Sequence, residues 1–446
     1  MLLNFKLKNF KSFKNEITFT MLSSMQKTHN DYVIQKNISG NKIRVLPMSV
    51  IYGANASGKS NIILAMNILR IMIKEGTLDC KELEPFKSTL SFIRDSSWFQ
   101  PVELEITFST VNNIYQYGIE FTNIDDYSIQ KEYLYINNDE IFERTKTDKI
   151  QIPISSLVKK GYIDKNEDAF ANILLKKLNQ ALDDKSLVLT GAVRNLVHAD
   201  YFIEIQTWFE NFHVIMNAND MDFRQKDLKS IFQTDKEQKK EVGRSYFESE
   251  AVKEIMGFAE FGNQKIGFVA ETENDELSMC SIYTVPFEDK ELADSRYSVQ
   301  MIVDSELMES KGTIHLIRLI QPFIDALRTG GVIVLDEMDA SLHFEIVVSL
   351  IRIFNNKELN QKGAQLIFNT HNPIYLDGEL LRHDQIVMVE KRKDDLTSDM
   401  YSLSDYKLRP EERILKNYLD GKYGALPHMD LEIAFKHILE REEKQN

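Results

Sequence analysis

The sequence predicts an α/β fold in which a parallel sheet, covered by helices on both faces, is joined to an antiparallel β meander and interrupted by a mainly helical insertion. Three observations carry this reading. From about residue 295 onward, strand-length apolar runs alternate with helical stretches. From Val102 to about Arg144 a period-two pattern (VELEITF, IYQYGIEF, EYLYI, EIFER) is broken by Asn/Asp-rich turns. Between Lys42 and Lys74 a strand, a glycine-bounded turn and a helix follow one another.

In chain order, residues 2–7 and 17–21 read as short strands, and KIRVLPMSVIY (Lys42 to Tyr52) ends in an apolar run that stops at Gly53. NIILAMNILRIMIK (Asn61 to Lys74) repeats apolar residues at helical spacing without Gly or Pro, so a helix starts just after Ser60. The meander follows. Between roughly 150 and 290 the composition shifts to Lys/Asp/Glu-rich stretches of helical pattern (AFANILLKKLNQAL, DYFIEIQTWFENF, EAVKEIMGFAEF) around the charged DKEQKKEVGR. Then come SVQMIVDSE, a helix through HLIRLIQPFIDALR, the apolar strand VIVLD, a helix from His343 to Phe354, the strand AQLIFNT, and finally IVMVEKRK and MYSLSDY. The chain thus divides into 1–145, 146–294 and 295–446, the outer two forming one lobe and the middle one the insertion.

Composition bounds the function. The 446 residues carry 54 Lys+Arg against 68 Asp+Glu, a net charge of −14, with 43% hydrophobic residues and only 18 Gly and 9 Pro. Such a chain buries a large core and is not a disordered or low-complexity polymer. Its acidity argues against a surface that coats nucleic acid, so any polyanion site must be local. Lys236 to Arg244 is basic enough to line a groove on DNA, but reads more simply as a solvated helix face. Cys80 and Cys280, with no CxxC or Cys/His cluster, exclude a disulfide scaffold and a structural zinc site. MLLNFKLKNFKSF alternates apolar residues with lysines, unlike a signal peptide, and no apolar run approaches the ~20 residues that span a bilayer. A cytoplasmic protein without a membrane partner is expected.

Gly53-Ala-Asn-Ala-Ser-Gly58-Lys59-Ser60 fits the phosphate-loop pattern G-x-x-x-x-G-K-[ST], with a strand before it and a helix after it. Glycines let backbone N–H groups converge on phosphate oxygens, and the helix directs its positive end at the same anion. Lys59 would reach the outer phosphates, and the Ser60 hydroxyl would ligate Mg²⁺. Val332 to Leu335 is a buried strand that ends in Asp336 and Glu337. Asp336 would complete the Mg²⁺ shell and Glu337 would polarise the attacking water. His371, after a second apolar strand, either meets the terminal phosphate or water, or serves as a structural cap. His315, His343 and His383 read as structural or surface residues.

Together, VIYGANASGKSN, ESKGT (Glu309 to Thr313), VIVLDEMDASLH and NTHNPIYLD resemble the ATP-binding-cassette (ABC) ATPases of the RecF/SMC and overcome-lysogenization-defect type, within the AAA family. They are most similar to the stand-alone ATPases of prokaryotic phage-defence operons, such as the AriA-like ATPase of the PARIS system and ATPases paired with RloB-like proteins. The tail MYSLSDYKLRPEERILKNYLDGKYGALPHMD resembles the ends of those proteins, so the likeness covers about 1–145 and 295–430. The resemblance implies a P-loop NTPase of ABC-ATPase head type. It makes Gly53, Asn55, Ala56, Ser57, Gly58, Lys59, Ser60 and Asn61 the Walker A loop, Asp336 and Glu337 Walker B, His371 the switch histidine, and Ala340 to His343 the D-loop. Ser310, Gly312 and Thr313 match the signature that completes the ATP site of a second protomer, although SKGT departs from LSGGQ and His343 replaces an Asp. On its own terms ESKGT is a polar helix start capped by Ser310. Gln100, at the start of the first meander strand, is the candidate Q-loop glutamine and a third metal ligand.

Two functions follow from the resemblance. In the first, ATP and Mg²⁺ assemble a homo-oligomer with ATP sites completed in trans, whose slow, association-dependent ATPase holds or licenses a separate effector against phage, a TOPRIM-type or RloB-like nuclease. Only 75 residues follow His371 and no nuclease constellation stands out, so the effector is expected to be a separate protein. In the second, a RecF-like repair ATPase clamps DNA, a contact the net charge disfavours. A transporter ATPase subunit is a third, weaker reading.

Overall fold

The computed structural model describes residues 1–86, 89–122, 127–147, 149–164, 168–191, 197–216, 223–224, 238–241, 244–248, 254–255, 257, 265–270, 276–288, 296–340, 342–406, 408, 412–426, 431–433, 435–436 and 439. The chain opens with β1 (Leu2–Lys8) and β2 (Ile17–Thr20), followed by the hairpin β3 (Ile34–Ile38) and β4 (Asn41–Val45), and by β5 (Met48–Gly53), which enters α1 (Lys59–Glu75). The meander is β6 (Val102–Ser109), β7 (Ile114–Thr122), β8 (Ser128–Ile136) and β9 (Asp139–Thr145). Helices α2 (Ile154–Lys160), α3 (Asp168–Ala181) and α4 (Ala199–Glu210) lead to β10 (Phe212–Ile215). Next come β11 (Phe223–Arg224), β12 (Gln238–Glu241), β13 (Arg244–Glu248), β14 (Lys265–Ala270), β15 (Glu276–Glu288) and β16 (Arg296–Asp304). The last part holds α5 (Ser305–Met308), α6 (Lys311–Thr329), β17 (Val332–Leu335), α7 (Phe344–Asn355), β18 (Gln365–Thr370), β19 (Ile386–Lys391), β20 (Ser398–Ser402) and α8 (Ile414–Leu419).

The central sheet has the order β10-β17-β18-β5-β19-β20 and is parallel except for the antiparallel edge strand β20. Its inner strands β17, β18 and β5 are largely apolar because both faces are covered. In β5, Ile51 joins the core beneath α1 and the meander, while Met48, Val50 and Tyr52 join the opposite core with α6, α7 and α8. Alternation along one strand therefore feeds two cores. The meander strands pair with β1 and β2 in a second, antiparallel sheet, against whose buried face α1 places Ile62, Met66, Leu69 and Met72.

The expected helical content of 146–294 is corrected in its second half. After α4 the chain turns extended: β10 pairs in parallel with β17 from Phe212↔Val332 to Ile215↔Leu335, and so belongs to the central sheet. The remaining strands form a third sheet, β11-β15-β14-β13-β12, with β16 on β15. Of the basic run expected as a helix face, Gln238–Glu241 is β12 and hydrogen-bonds β13; Lys236 lies outside the described residues. Strand pairing overrides local helix preference here, because Lys and Glu are tolerated wherever one sheet face meets water. Of the EAVKEIMGFAEF stretch, Glu254, Ile255 and Gly257 are described, and they are helical.

A buried ion pair fixes the segment before β3. Arg382, fully buried, bonds Asp384 through Nε and Nη2 at 2.8 Å each and donates from Nη1 to the carbonyls of Thr28 (2.7 Å) and His29 (3.2 Å). Asp384 in turn accepts from the backbone and hydroxyl of Ser24. Every hydrogen-bonding direction of the guanidinium is used, as burial of a charge demands.

Candidate functional site

The phosphate loop lies where β5 passes into α1, and close packing dictates its glycines. A Cβ on Gly53 would stand 2.3 Å from the Val389 carbonyl of β19 and 2.6 Å from Ser57 Oγ. Gly58 has φ +116°, and a Cβ there would meet Ser12 Oγ at 2.6 Å and Ser398 Oγ at 2.9 Å. Both hydroxyls brace the loop from below: Ser398 donates to the Ser57 carbonyl, and Asn61 Nδ2 donates to Ser12 Oγ at 2.9 Å. Ser57, Gly58 and Lys59 are buried, while Asn55 and Ala56 are exposed at the rim. Ala56 itself adopts φ +60°.

Lys59 Nζ folds back along the loop, donating to the Gly53 and Ala54 carbonyls at 2.9 and 3.0 Å, and stands 3.4 Å from His371 Nδ1. Burial lowers its pKa to about 8, against the upward pull of Asp336 and Glu337. An ammonium held over carbonyl oxygens, without a carboxylate in contact, is arranged to accept an anion. Burial also lowers the pKa of His371, assisted by the Lys59 charge, so its imidazole is neutral near pH 7.

Ser60 Oγ donates to Asp336 Oδ1 at 2.9 Å. Burial raises the Asp336 pKa, opposed first by its hydrogen bonds from Asn369 and Ser60. Asn369, at the end of β18 between the strands that carry the two motifs, donates from Nδ2 to Asp336 Oδ1 and accepts the Glu337 backbone N–H at 2.5 Å. Glu337 has φ +51°, and its side chain is exposed toward solvent. One residue further along β18, Thr370 Oγ1 donates to Asp339 Oδ2 at 2.6 Å. Thus Gly53, Lys59, Ser60, Asp336, Glu337 and His371 are brought to one end of the sheet. Asn369, Thr370, Asp339, Ser12 and Ser398 are additions that sequence reading did not reach. For Asn369 a signal existed: it is a polar residue near the end of an apolar strand, two positions before His371.

Ser310 caps α6, accepting the Thr313 N–H at 3.1 Å and sharing a 2.8 Å bond with the Thr313 hydroxyl. Ser310 is exposed, Gly312 half-buried and Thr313 buried, so a helix N-terminus faces outward at this point. Gln100 is exposed at the end of the 3-10 turn Ser96–Phe99, and its carbonyl accepts from Asn9 Nδ2 at 2.8 Å. The structure joins it to the Asn9–Phe13 turn, which also carries Ser12, and not to the Ser60–Asp336 pair. His343 caps α7, accepting from the Glu345 N–H at 3.4 Å, while Ser341 of the same segment lies outside the described residues.

Mg²⁺ requires hard oxygen ligands and keeps several waters or phosphate oxygens. The Ser60 hydroxyl and Asp336 carboxylate, already adjacent, fit that demand with two protein ligands. No group of three or more His, Cys, Asp or Glu suited to a metal occurs among the described residues. No described helix is long and apolar enough to cross a membrane.

A strand–loop–helix beside an Asp-Glu strand end in a parallel sheet, with an antiparallel sheet packed against the same helix, is the arrangement of a P-loop NTPase. The chain belongs to the family described as "AAA domain, putative AbiEii toxin, Type IV TA system", which matches residues 48–174 and 197–377. Among solved structures it is similar to the SMC head domain from Thermotoga maritima, at 16% identity and a TM-score of 0.36, over 90% of this chain and 98% of that one. It is also similar to the Smc head domain with a coiled coil and joint derived from Pyrococcus yayanosii, at 12% identity and a TM-score of 0.39, over 91% and 99%. No curated protein matches the chain.

Proposed function

We propose that the chain binds and hydrolyses ATP at this site, assembles around the nucleotide with further copies of itself, and holds or licenses a separate effector in defence against phage. The observation that carries the ATPase reading is the convergence of Lys59, Ser60, Asp336, Glu337 and His371 at one sheet end. The triphosphate lies at the N-terminus of α1, where backbone N–H groups and the helix dipole favour anions. Lys59 exchanges its carbonyl partners for outer phosphate oxygens. Ser60 and Asp336 would hold Mg²⁺, which neutralises phosphate charge when bound. Glu337 orients a water and takes its proton as the oxygen attacks the terminal phosphorus, releasing ADP and phosphate. Neutral His371, beside Lys59, is free to hydrogen-bond the terminal phosphate.

The exposed N-terminus of α6, capped by Ser310, is open to an anion from a second protomer, which supports the oligomeric reading. The effector reading rests on the motif resemblance to ATPases paired with TOPRIM-type or RloB-like nucleases. The chain's net charge of −14 favours a protein partner over a RecF-like DNA clamp. Phosphate release by the full chain, lost in Lys59→Ala, tests the ATPase. Co-purification of a nuclease that is retained with ATP and released on hydrolysis tests the effector. An active Lys59→Ala variant overturns the site.

A further inference from the structure

Asn369 is fully buried in β18, directly after Leu366 to Phe368, the apolar centre of that strand. Its carboxamide is used on both sides. Nδ2 donates to Asp336 Oδ1 and lies 3.4 Å from Ser60 Oγ, while Oδ1 accepts the Glu337 N–H at 2.5 Å. Donor and acceptor cannot be exchanged: flipping the amide would set NH₂ against an N–H and the carbonyl against a carboxylate. The residue it holds is strained. Glu337 sits at φ +51°, in the left-handed region that residues with a Cβ avoid, and such strain persists only where the surroundings enforce it.

We propose that Asn369 is a positioning residue for Glu337: by accepting the Glu337 amide hydrogen and anchoring to Asp336, it fixes the left-handed turn that sets the direction in which the Glu337 carboxylate leaves the strand. The chemistry explains the residue type. Aspartate would keep the acceptor but set a second carboxylate against Asp336, leucine would keep the volume and lose both bonds, and serine is too short to reach both partners. The inference rests on Glu337 being the base of the proposed ATPase, and its test separates the two.

Amide hydrogen exchange in the nucleotide-free full chain reads the bond itself. Asn369→Leu is expected to speed exchange at the Glu337 amide by tenfold or more, whereas Asn369→Asp, which keeps the acceptor, stays within about threefold of the parent. Unchanged exchange in Asn369→Leu, or equal loss in both variants, overturns the proposal. With MgATP, Asn369→Leu is expected to lower kcat by about fiftyfold and to leave ATP affinity within about threefold. Parallel loss of binding and turnover would mark a merely structural residue and overturn it. In a Glu337→Gln background the same change is expected to add less than about twofold, because the two residues act as one unit, and full additivity overturns it. Turnover that survives Lys59→Ala would fail the ATPase reading instead, with the exchange result still deciding what Asn369 holds.

Discussion

Ser60 donates its hydroxyl hydrogen to Asp336 across 2.9 Å, closing a separation of 276 residues. The pair brings the phosphate loop and the acidic strand end into direct contact. Two hard oxygens are therefore in place, and binding spends little on ordering them.

Lys59 gives the site a proton signature. Its folded-state pKa of about 8 lies below the ordinary 10.5, so between those values the unfolded chain holds a proton that the folded chain has released. This lysine therefore makes the nucleotide-free protein more stable as pH rises through that window. Phosphate favours the charged form, so ATP binding above pH 8 is expected to take up close to one proton per site and to weaken with rising pH. Calorimetry in buffers of different ionisation enthalpy measures the uptake, and Lys59→Met should abolish it.

Glu337→Gln keeps the shape of the strand end and removes the base. Turnover is expected to fall by about 10²–10⁴-fold while ATP still binds, and the bound state should accumulate as an oligomer. Phosphate release and light scattering with ATP check both halves. A variant that turns over like the parent rules out Glu337 as the base.

Ser310 has two separable duties. As the cap of α6 its replacement by Ala should cost about 1 kcal/mol, visible as a lower Tm without nucleotide. As a trans ligand its loss should abolish turnover in the pure variant, and mixing with Lys59→Ala chains should restore part of it, since a mixed pair keeps one intact site. Activity that never recovers on mixing would confine the ATP site to one chain.

Removing one member of the Arg382–Asp384 pair strands the other inside the protein. Arg382→Met is expected to destabilise the fold by about 3–5 kcal/mol in urea titration, and to expose residues 24–29 to proteolysis, because three carbonyl acceptors lose their donor as well. Replacing both Arg382 and Asp384 by apolar residues should recover part of the loss.

The legible parts of the molecule were those where pattern and context repeat. Val332–Leu335 announces itself as a buried parallel strand by unbroken apolarity, Met48–Gly53 and Gln365–Thr370 by their apolar centres, and the meander by its alternation. The Walker residues followed from a motif whose mechanism fixes its neighbours. What stayed hidden was set by pairing across distance. Phe212–Ile215 is four residues long and follows an aromatic helix, so only its bond to Val332–Leu335 makes it a strand. Asn369 and Thr370 looked like the polar end of a strand, and their duties appear only once Asp336 and Asp339 stand opposite. Gln100 fits a Q-loop by its side-chain type, whereas the structure engages its carbonyl.

The phosphate loop is braced by Ser398, and β5 is flanked on both edges by β18 and β19. During synthesis, Gly53 leaves the ribosome 336 residues before Val389, its partner in β19, has been made. At roughly 5–20 residues per second that interval is about 17–70 s. Over that time α1 can already pack on β1, β2 and the meander, whereas β5 still lacks both of its neighbours in the central sheet. The sheet around the phosphate loop is thus completed only in nearly finished chains, because β17, β18 and β19 all follow residue 330.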